Sequence, residues 1–177
     1  MTDHATLQVV DDDHVIRFER TFTQPIETVW AAVTEPEHLE HWFPTTIDGP
    51  RTAGAAVDFR FRDADESKWD FAGTILEFTP PAVFALQWGP EALRFQLLPE
   101  GTGTRLIFTA TFRDPAIVAR DCAGWHVCLD ELVAHVATGG GSAPGTEPTP
   151  DWQAYFDHYR EAFGPEYAAV TAATPMD

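Results

Sequence analysis

Several residue types are absent from this chain or nearly absent, and each absence argues against a class of chemistry. The 177 residues include no Asn, two Ser and a single Lys. Without Asn there is no acceptor for N-glycosylation and no Cys-His-Asn triad. Ser67 lies in a polar stretch and Ser142 in a Gly-rich one. Neither therefore occupies the strained strand-to-helix turn that exposes a catalytic serine, and a serine hydrolase is not expected.

Long apolar runs are also missing. No run approaches the roughly 20 residues of a membrane-spanning helix, and the first residues lack the cationic flank and apolar segment of a secretion signal. Cys122 and Cys128 fall in one predicted helix, where a rise of about 1.5 Å per residue puts them roughly 9 Å apart, too far for a disulfide. We therefore expect a cytoplasmic protein with reduced thiols and no membrane span.

Positive charge is scarce. Lys and Arg number 11 against 28 Asp and Glu, which gives a formal charge of −17. This charge would repel nucleic acid and anionic membranes, so neither is an expected partner. With 13 Phe and 6 Trp, the chain has enough apolar surface to form a folded core of one domain.

The composition divides the chain into four parts. Residues 1–13 are polar and are expected to form a flexible arm, and residues 14–137 carry regular apolar patterns. Residues 138–150 form a Gly- and Pro-rich linker. Residues 151–177 are a C-terminal extension that begins with a short helix and contains all three tyrosines of the chain.

Within residues 14–137 the spacing of apolar residues changes along the chain. It is first every second residue, as in a strand, and later about 3.6 residues, as in a helix. Residues 14–22 alternate, which places Arg20 on the same face as Phe18 and Phe22. Two short helices follow Pro25 and Pro36, and five further strands are predicted between 54 and 112. The segment 115–137 has helical spacing. Its apolar stripe, expected to lie on the sheet, is Val118, Cys122, Trp125, Leu129, Leu132 and Val136.

Three stretches carry a resemblance to a known family. VIRFERTFTQPIETVWAAVTEPEHLEHWFP is similar to the opening of the START-like (SRPBCC) superfamily, specifically the bacterial relatives of the activator of heat-shock protein 90 ATPase. GTILEFTPPAVFALQW resembles the central hairpin of that family, and GTRLIFTATF with GWHVCLDEL resembles its last strand and helix. The resemblance implies an α+β helix-grip fold, in which a curved antiparallel sheet is gripped by two short helices and a long C-terminal helix.

A long helix closing a curved sheet can leave an apolar cavity. The predicted wall, which could equally be a filled aromatic core, comprises Phe18, Arg20, Phe59, Phe61, Trp69, Phe71, Trp88, Phe95, Phe108, Cys122, Trp125 and Leu129. Arg20 is the unusual member, because its parity directs a guanidinium to the apolar face. A buried charge needs a partner, either a carboxylate of the domain, which we favour, or an acidic or carbonyl group of a ligand.

Two further groups of residues have spacings that could carry chemistry. Cys122 and His126 are four residues apart on the predicted helix, which would suit a thiolate-imidazolium nucleophile. The preferred interpretation is that Cys122 is a buried thiol and His126 is a surface histidine that faces Asp130. His38 and His41 could face one metal ion, but the sequence offers no third ligand, and a solvated helix face is preferred.

The sequence therefore favours non-catalytic binding of a small hydrophobic or amphipathic molecule between the sheet and the C-terminal helix. A protein-interaction module of co-chaperone type, with a chaperone as partner, is the alternative. A cyclase-like enzyme using Arg20 or His126 is the third. We expect no cofactor, no metal and a monomer or homodimer.

Overall fold

The structure, a computed structural model, describes residues 3–171. It contains eight strands, four α-helices and three short 3-10 helices. The strands are β1 Thr6–Val10, β2 Asp13–Phe22, β3 Thr45–Asp48, β4 Ala56–Phe61, β5 Phe71–Thr79, β6 Val83–Trp88, β7 Glu91–Glu100 and β8 Gly103–Phe112. The α-helices are α1 Ile26–Thr34, α2 Pro36–Leu39, α3 Val118–Thr138 and α4 Pro150–Phe163, and the 3-10 helices are Ala64–Trp69, Pro115–Ile117 and Pro165–Tyr167.

The eight strands form one antiparallel sheet in the order β1-β2-β8-β7-β6-β5-β4-β3. The five strands predicted between 54 and 112 are β4 to β8, and they follow one another as a meander. Ile16, Phe18, Arg20 and Phe22 of β2 are all buried, which is the predicted parity. The expected α+β helix-grip architecture is thus present, with helices on one face of a curved sheet.

The N-terminal segment differs from the flexible arm that the sequence predicted. Residues Thr6–Val10 form β1 and pair with β2 as a hairpin, in which Val10 lies opposite Asp13. The two residues of the turn, Asp11 and Asp12, have φ angles of 49° and 70°. Asp tolerates this left-handed conformation better than most residues, and two such residues in succession suit the twist of a tight hairpin.

Helix α3 lies across the sheet with its predicted stripe facing inward. Val118, Cys122, Leu129 and Leu132 are fully buried, and Trp125 is 6% exposed. The helix ends at Thr138 because Gly139 adopts a left-handed φ of 74° and its amide bonds to the carbonyl of His135. No helix within residues 3–171 is long and apolar enough to cross a membrane.

Helix α4 packs against α3. Its inward residues Phe156 and Tyr159 are 3% and 0% exposed. The Tyr159 hydroxyl accepts a hydrogen bond from the backbone amide of Ala5 at 3.0 Å, so the extension also holds the chain just before β1. Helix α4 is therefore part of the fold, in contact with both α3 and the segment just before β1.

Candidate functional site

A cleft of about 390 Å³ opens at one end of the sheet. At this end β4 and β6 finish while β5 and β7 begin, because neighbouring strands are antiparallel. The first half of α3 forms the opposite wall, and linker residues 144–149 pass across the opening. The aromatic residues of the lining are Phe61, Trp69, Phe71, Trp88, Trp125 and Trp152.

Trp88 stands at the centre of the aromatic wall. Its ring meets Phe71 edge-on at 4.7 Å between centroids and Trp125 edge-on at 5.4 Å. The Trp88–Trp125 contact joins the sheet to α3 and fixes the rear of the cleft. Trp88 and Phe71 remain half-buried, as do Phe61, Trp69 and Trp152. The protein's own packing thus leaves apolar ring surface open to the cleft.

Two carboxylates attach the linker to the rest of the fold. Glu66, in the 3-10 helix Ala64–Trp69, accepts hydrogen bonds from both the backbone amide and the hydroxyl of Thr146, at 3.0 and 2.6 Å. A second attachment joins the amide of Ser142 to a carboxylate oxygen of Glu131 at 2.8 Å. We call residues 142–149 the strap. It forms one side of the cleft without regular secondary structure.

A glycine in the middle of α3 widens the cleft. Gly124 lines it, and a Cβ added there would meet only the indole nitrogen of Trp152, at 3.9 Å. Glycine in a helix interior costs about 1 kcal/mol relative to alanine. No steric conflict requires glycine at position 124, so what the absent side chain provides is space.

Three ionisable groups enter this apolar site from β7 and α3. Glu91 is 5% exposed, and burial together with the nearby carboxylates of Asp121 and Asp114 raises its pKa to about 7. Arg120 and Asp121 form an ion pair. Burial also raises the pKa of Asp121, although Arg120 opposes that effect. The cleft therefore contains a carboxyl group that can gain or lose a proton near neutral pH.

The predicted wall residues divide between the cleft and the core. Five line the cleft: Phe61, Trp69, Phe71, Trp88 and Trp125. The others lie in the closed core between the sheet and α3, and these are Phe18, Arg20, Phe59, Phe95, Phe108, Cys122 and Leu129. These residues fill the middle of the interface, and the cleft lies at its end.

Arg20 has its partner within the protein. Its guanidinium lies 3.5 Å from a carboxylate oxygen of Asp130 on α3 and donates to the backbone carbonyl oxygens of Asp3 and Glu19 at 2.8 and 2.9 Å. It also lies over the ring of Phe18, 5.4 Å from its centroid. The internal pair that the sequence favoured is present, and Arg20 does not line the cleft.

His126 differs from the surface histidine that the sequence predicted, because the docking of α4 buries it to 2% exposure. Its Nδ1 lies 2.8 Å from the Tyr159 hydroxyl, and its Nε2 lies 3.7 Å from Asp130. Burial, with further contributions from Arg20, His4 and His158, lowers the pKa of His126 to about 3. Burial raises the pKa of the Cys122 thiol well above its usual value. A thiolate-imidazolium pair is therefore disfavoured.

His38 and His41 both contact a third histidine, His135, which lies on α3. Nδ1 of His38 is 2.8 Å from Nε2 of His135, and the ring of His41 stacks on that of His135 at 4.4 Å. Nδ1 of His135 donates to the carbonyl of Gly140 at 2.9 Å. Within residues 3–171, no group of His, Cys, Asp and Glu side chains is arranged to hold a metal ion.

Glu91, Arg120 and Asp121 were not among the site residues predicted from the sequence. Glu91 shares the parity of Leu93 and Phe95 in β7, which is the same signal that singled out Arg20 in β2. Asp121 lies three residues after Val118, at the edge of the apolar stripe. A charged residue on an apolar face was therefore the available signal at both positions.

The fold places the protein among helix-grip domains, and sequence comparison identifies its family. Residues 23–137 match the model of the activator of Hsp90 ATPase homolog 1-like family. Because this match covers more than half of the chain, the protein belongs to that family. No curated protein matches the chain.

Solved structures show the same fold. A conserved protein of unknown function from Enterococcus faecalis, EF2215, is 20% identical with a TM-score of 0.71, covering 90% of each chain. CalU16 from Micromonospora echinospora is also 20% identical, with a TM-score of 0.67 over 89% of this chain and 92% of its own. DynU16, from the dynemicin biosynthetic locus, is 25% identical with a TM-score of 0.63 over 75% of this chain and 49% of its own.

Proposed function

We propose that the protein binds a small hydrophobic or amphipathic molecule, without covalent chemistry, in the cleft beneath the strap. One observation carries this proposal. Six aromatic side chains from the sheet, the 3-10 helix Ala64–Trp69, α3 and α4 converge on a space of about 390 Å³ that the protein does not fill. Cavities of roughly 300 to 1,000 Å³ with mostly apolar walls and a few polar groups are typical of small-molecule sites.

The energetics of the wall support this role. Half-buried aromatic rings gain free energy when a ligand removes them from water, at about 25 cal/mol per Å² of apolar surface. Trp88 and Phe71 are held in place by edge-on contacts with each other, so little ordering is needed when a ligand binds. Gly124 is consistent with the same role, because an ordinary helix former at this position would reduce the space.

One structural neighbour is consistent with this proposal. DynU16 belongs to a biosynthetic locus, a setting in which small molecules are made. The co-chaperone alternative rests on the family description alone. Ligand binding is preferred because a particular set of side chains supports it.

A second candidate function is proton-transfer catalysis by Glu91. The observation that favours it is a buried carboxyl group whose pKa lies at about 7 within the cleft, which is the range that suits a general acid or base. Neither Arg20 nor His126, the polar groups first considered for a cyclase-like enzyme, lines the cleft. If the protein is an enzyme, Glu91 is the residue on which its chemistry would depend.

Binding can be tested with a neutral fluorescent probe, N-(3,3-dimethylbutyl)dansylamide. Four of the six tryptophans line the cleft, so excitation of tryptophan should produce dansyl emission when the probe binds. Gly124→Leu would fill the cleft, and Ala137→Leu would add the same side chain at an exposed position of the same helix. We expect the wild type and Ala137→Leu to bind equally, and Gly124→Leu to bind at least tenfold more weakly. Equal binding by all three proteins would contradict the proposal.

A further inference from the structure

We infer that the cleft selects ligands that carry a positively charged ammonium group beside an aromatic or aliphatic body, with Glu91 as the counter-ion. This inference rests on the proposed function and adds the charge of the ligand to it. Its basis is the position of Glu91 relative to the aromatic wall and the balance of charged groups around the cleft.

Glu91 lies next to the central ring of the site. It is the cross-strand partner of Trp88, at the point where β6 passes into β7. Trp88 in turn meets Trp125 at 5.4 Å with the two ring planes 70° apart. The buried carboxyl group and the two indoles therefore converge on one corner of the cleft. The face of an indole attracts cations because of its quadrupole, most strongly where water is excluded.

The charged groups that line the cleft are mainly acidic. Glu91, Asp121 and Glu147 contribute carboxyl groups, whereas Arg120 contributes the one guanidinium among the lining residues. Arg120 is paired with Asp121 and only partly offsets the charge of Glu91, because burial and the nearby carboxylates raise the pKa of Glu91 more than Arg120 lowers it. The formal charge of −17 of the whole chain adds a field of the same sign. An anionic ligand would be repelled both by the carboxyl groups that line the cleft and by the net charge of the whole chain.

The nearby Arg120 lowers the pKa of Glu91 but does not balance the effects that raise it. Only 5% of Glu91 is exposed. A buried carboxylate is costly unless it is paired, and burial together with Asp121 and Asp114 raises the pKa of Glu91 to about 7. An ammonium group in this corner would offset the cost of burying the Glu91 carboxylate and its repulsion by the neighbouring carboxylates. Binding of the ammonium group should therefore favour the ionised form of Glu91.

The nature of the walls distinguishes an alkylated ammonium from a metal cation. Metal ions require several oxygen, nitrogen or sulfur ligands at short distances. The cleft beside Glu91 is lined by indole rings together with Arg120 and Asp121, and no metal-binding group of side chains is present in residues 3–171. Methyl or methylene groups on a charged nitrogen can contact indole faces while the charge faces Glu91.

Three matched probes test the inference. They are N-[2-(trimethylammonio)ethyl]dansylamide, its neutral carbon isostere N-(3,3-dimethylbutyl)dansylamide and the anion dansylglycine. The quaternary ammonium does not titrate, so any pH dependence between pH 6 and 8 comes from the protein. Affinities would be measured by energy transfer from tryptophan at both pH values. The variants are Glu91→Gln and, as a control at the exposed far end of the same strand, Glu100→Gln.

At pH 8 we expect the cationic probe to bind the wild type at least tenfold more tightly than its neutral isostere, and the anion to bind most weakly. Lowering the pH to 6 protonates Glu91, so the preference for the cation should fall several-fold. Glu91→Gln should remove most of the preference and its pH dependence, whereas Glu100→Gln should change neither.

Each contrary result has a distinct meaning. Equal affinity for the cationic and neutral probes would overturn this inference and leave the proposed function standing. A cation preference that persists in Glu91→Gln would overturn the role of Glu91. Failure of all three probes to bind would overturn both the inference and the proposed function.

Discussion

The guanidinium of Arg20 lies 3.5 Å from the carboxylate of Asp130, which ties strand β2 to the middle of helix α3. Arg20 is 6% exposed, whereas the Asp130 side chain is 43% exposed. The pair therefore has one buried and one partly solvated member. Asp130 also accepts a hydrogen bond from the hydroxyl of Tyr155, so this carboxylate links the sheet, the gripping helix and the C-terminal extension.

Arg20→Met should lower the free energy of unfolding by about 2–3 kcal/mol. This is less than the roughly 3–5 kcal/mol for breaking a fully buried pair, because water can solvate the carboxylate left behind on Asp130. Urea unfolding of the ligand-free protein measures the change. Arg94→Met, which breaks the surface pair with Glu77, should cost less than about 1 kcal/mol. An Arg20→Met protein as stable as the wild type would show that Asp130 is not the stabilising partner.

Removing the Tyr159 hydroxyl should loosen the attachment of the N-terminal hairpin. This hydroxyl accepts from the amide of Ala5 and bonds to Nδ1 of His126, and the residue is fully buried. Tyr159→Phe strands both groups, so we expect a loss of about 1–3 kcal/mol. Hydrogen exchange at the Ala5 amide should also become faster. Unchanged protection of that amide would contradict the assigned contact.

The strap should open more often when its attachment is removed. Glu66→Ala eliminates the acceptor of both Thr146 hydrogen bonds. We expect faster proteolytic cleavage within 142–149 but a free energy of global unfolding within about 1 kcal/mol of the wild type, since the change is local. Glu147→Ala, in the strap itself, is the matched control. Equal cleavage rates in Glu66→Ala and the wild type would show that this carboxylate does not hold the strap.

Glu91 should destabilise the folded protein as the pH rises. Its pKa is about 7 in the fold against an ordinary value of 4.5, so the folded state binds the proton more tightly than the unfolded chain. The penalty is absent below about pH 4.5 and grows until about pH 7. Glu91→Gln should therefore match the wild type at pH 4.5 and be more stable by about 2–3 kcal/mol at pH 8. A stability difference that does not change with pH would contradict the raised pKa.

Much of the fold could be predicted from alternation and spacing. Period-two patterns defined β2 and β4 to β8, and the stripe from Val118 to Val136 defined the inward face of α3. The strand β1 was missed because the turn at Asp11 and Asp12 contains neither Gly nor Asn, the residues that usually mark such a hairpin. The burial of His126 was missed because it depends on α4, which lies beyond a linker whose path the sequence does not specify.

The cleft could be predicted only in part, for a physical reason. Parity indicates which side chains point inward, but not whether inward side chains from opposite walls meet. Phe18 of β2 and His126 of α3 do meet, with ring centroids 5.4 Å apart, and close that part of the interface. Trp88 and Phe71 belong to the same inward set, yet they border open space because the strap, rather than another core element, lies across that end.

The central claim is that the cleft beneath the strap binds a small molecule, and the six tryptophan indole N–H signals of a nitrogen-15 NMR spectrum test it most directly. Trp69, Trp88, Trp125 and Trp152 line the cleft. Trp30 lies in a separate groove beside Phe78, and the indole of Trp42 is buried, bonding to the carbonyl of Ala32 at 2.8 Å. Titration with N-(3,3-dimethylbutyl)dansylamide should shift the four cleft signals and leave those of Trp30 and Trp42 in place. Saturable shifts confined to Trp30, or no saturable shift at any of the six, would contradict the account.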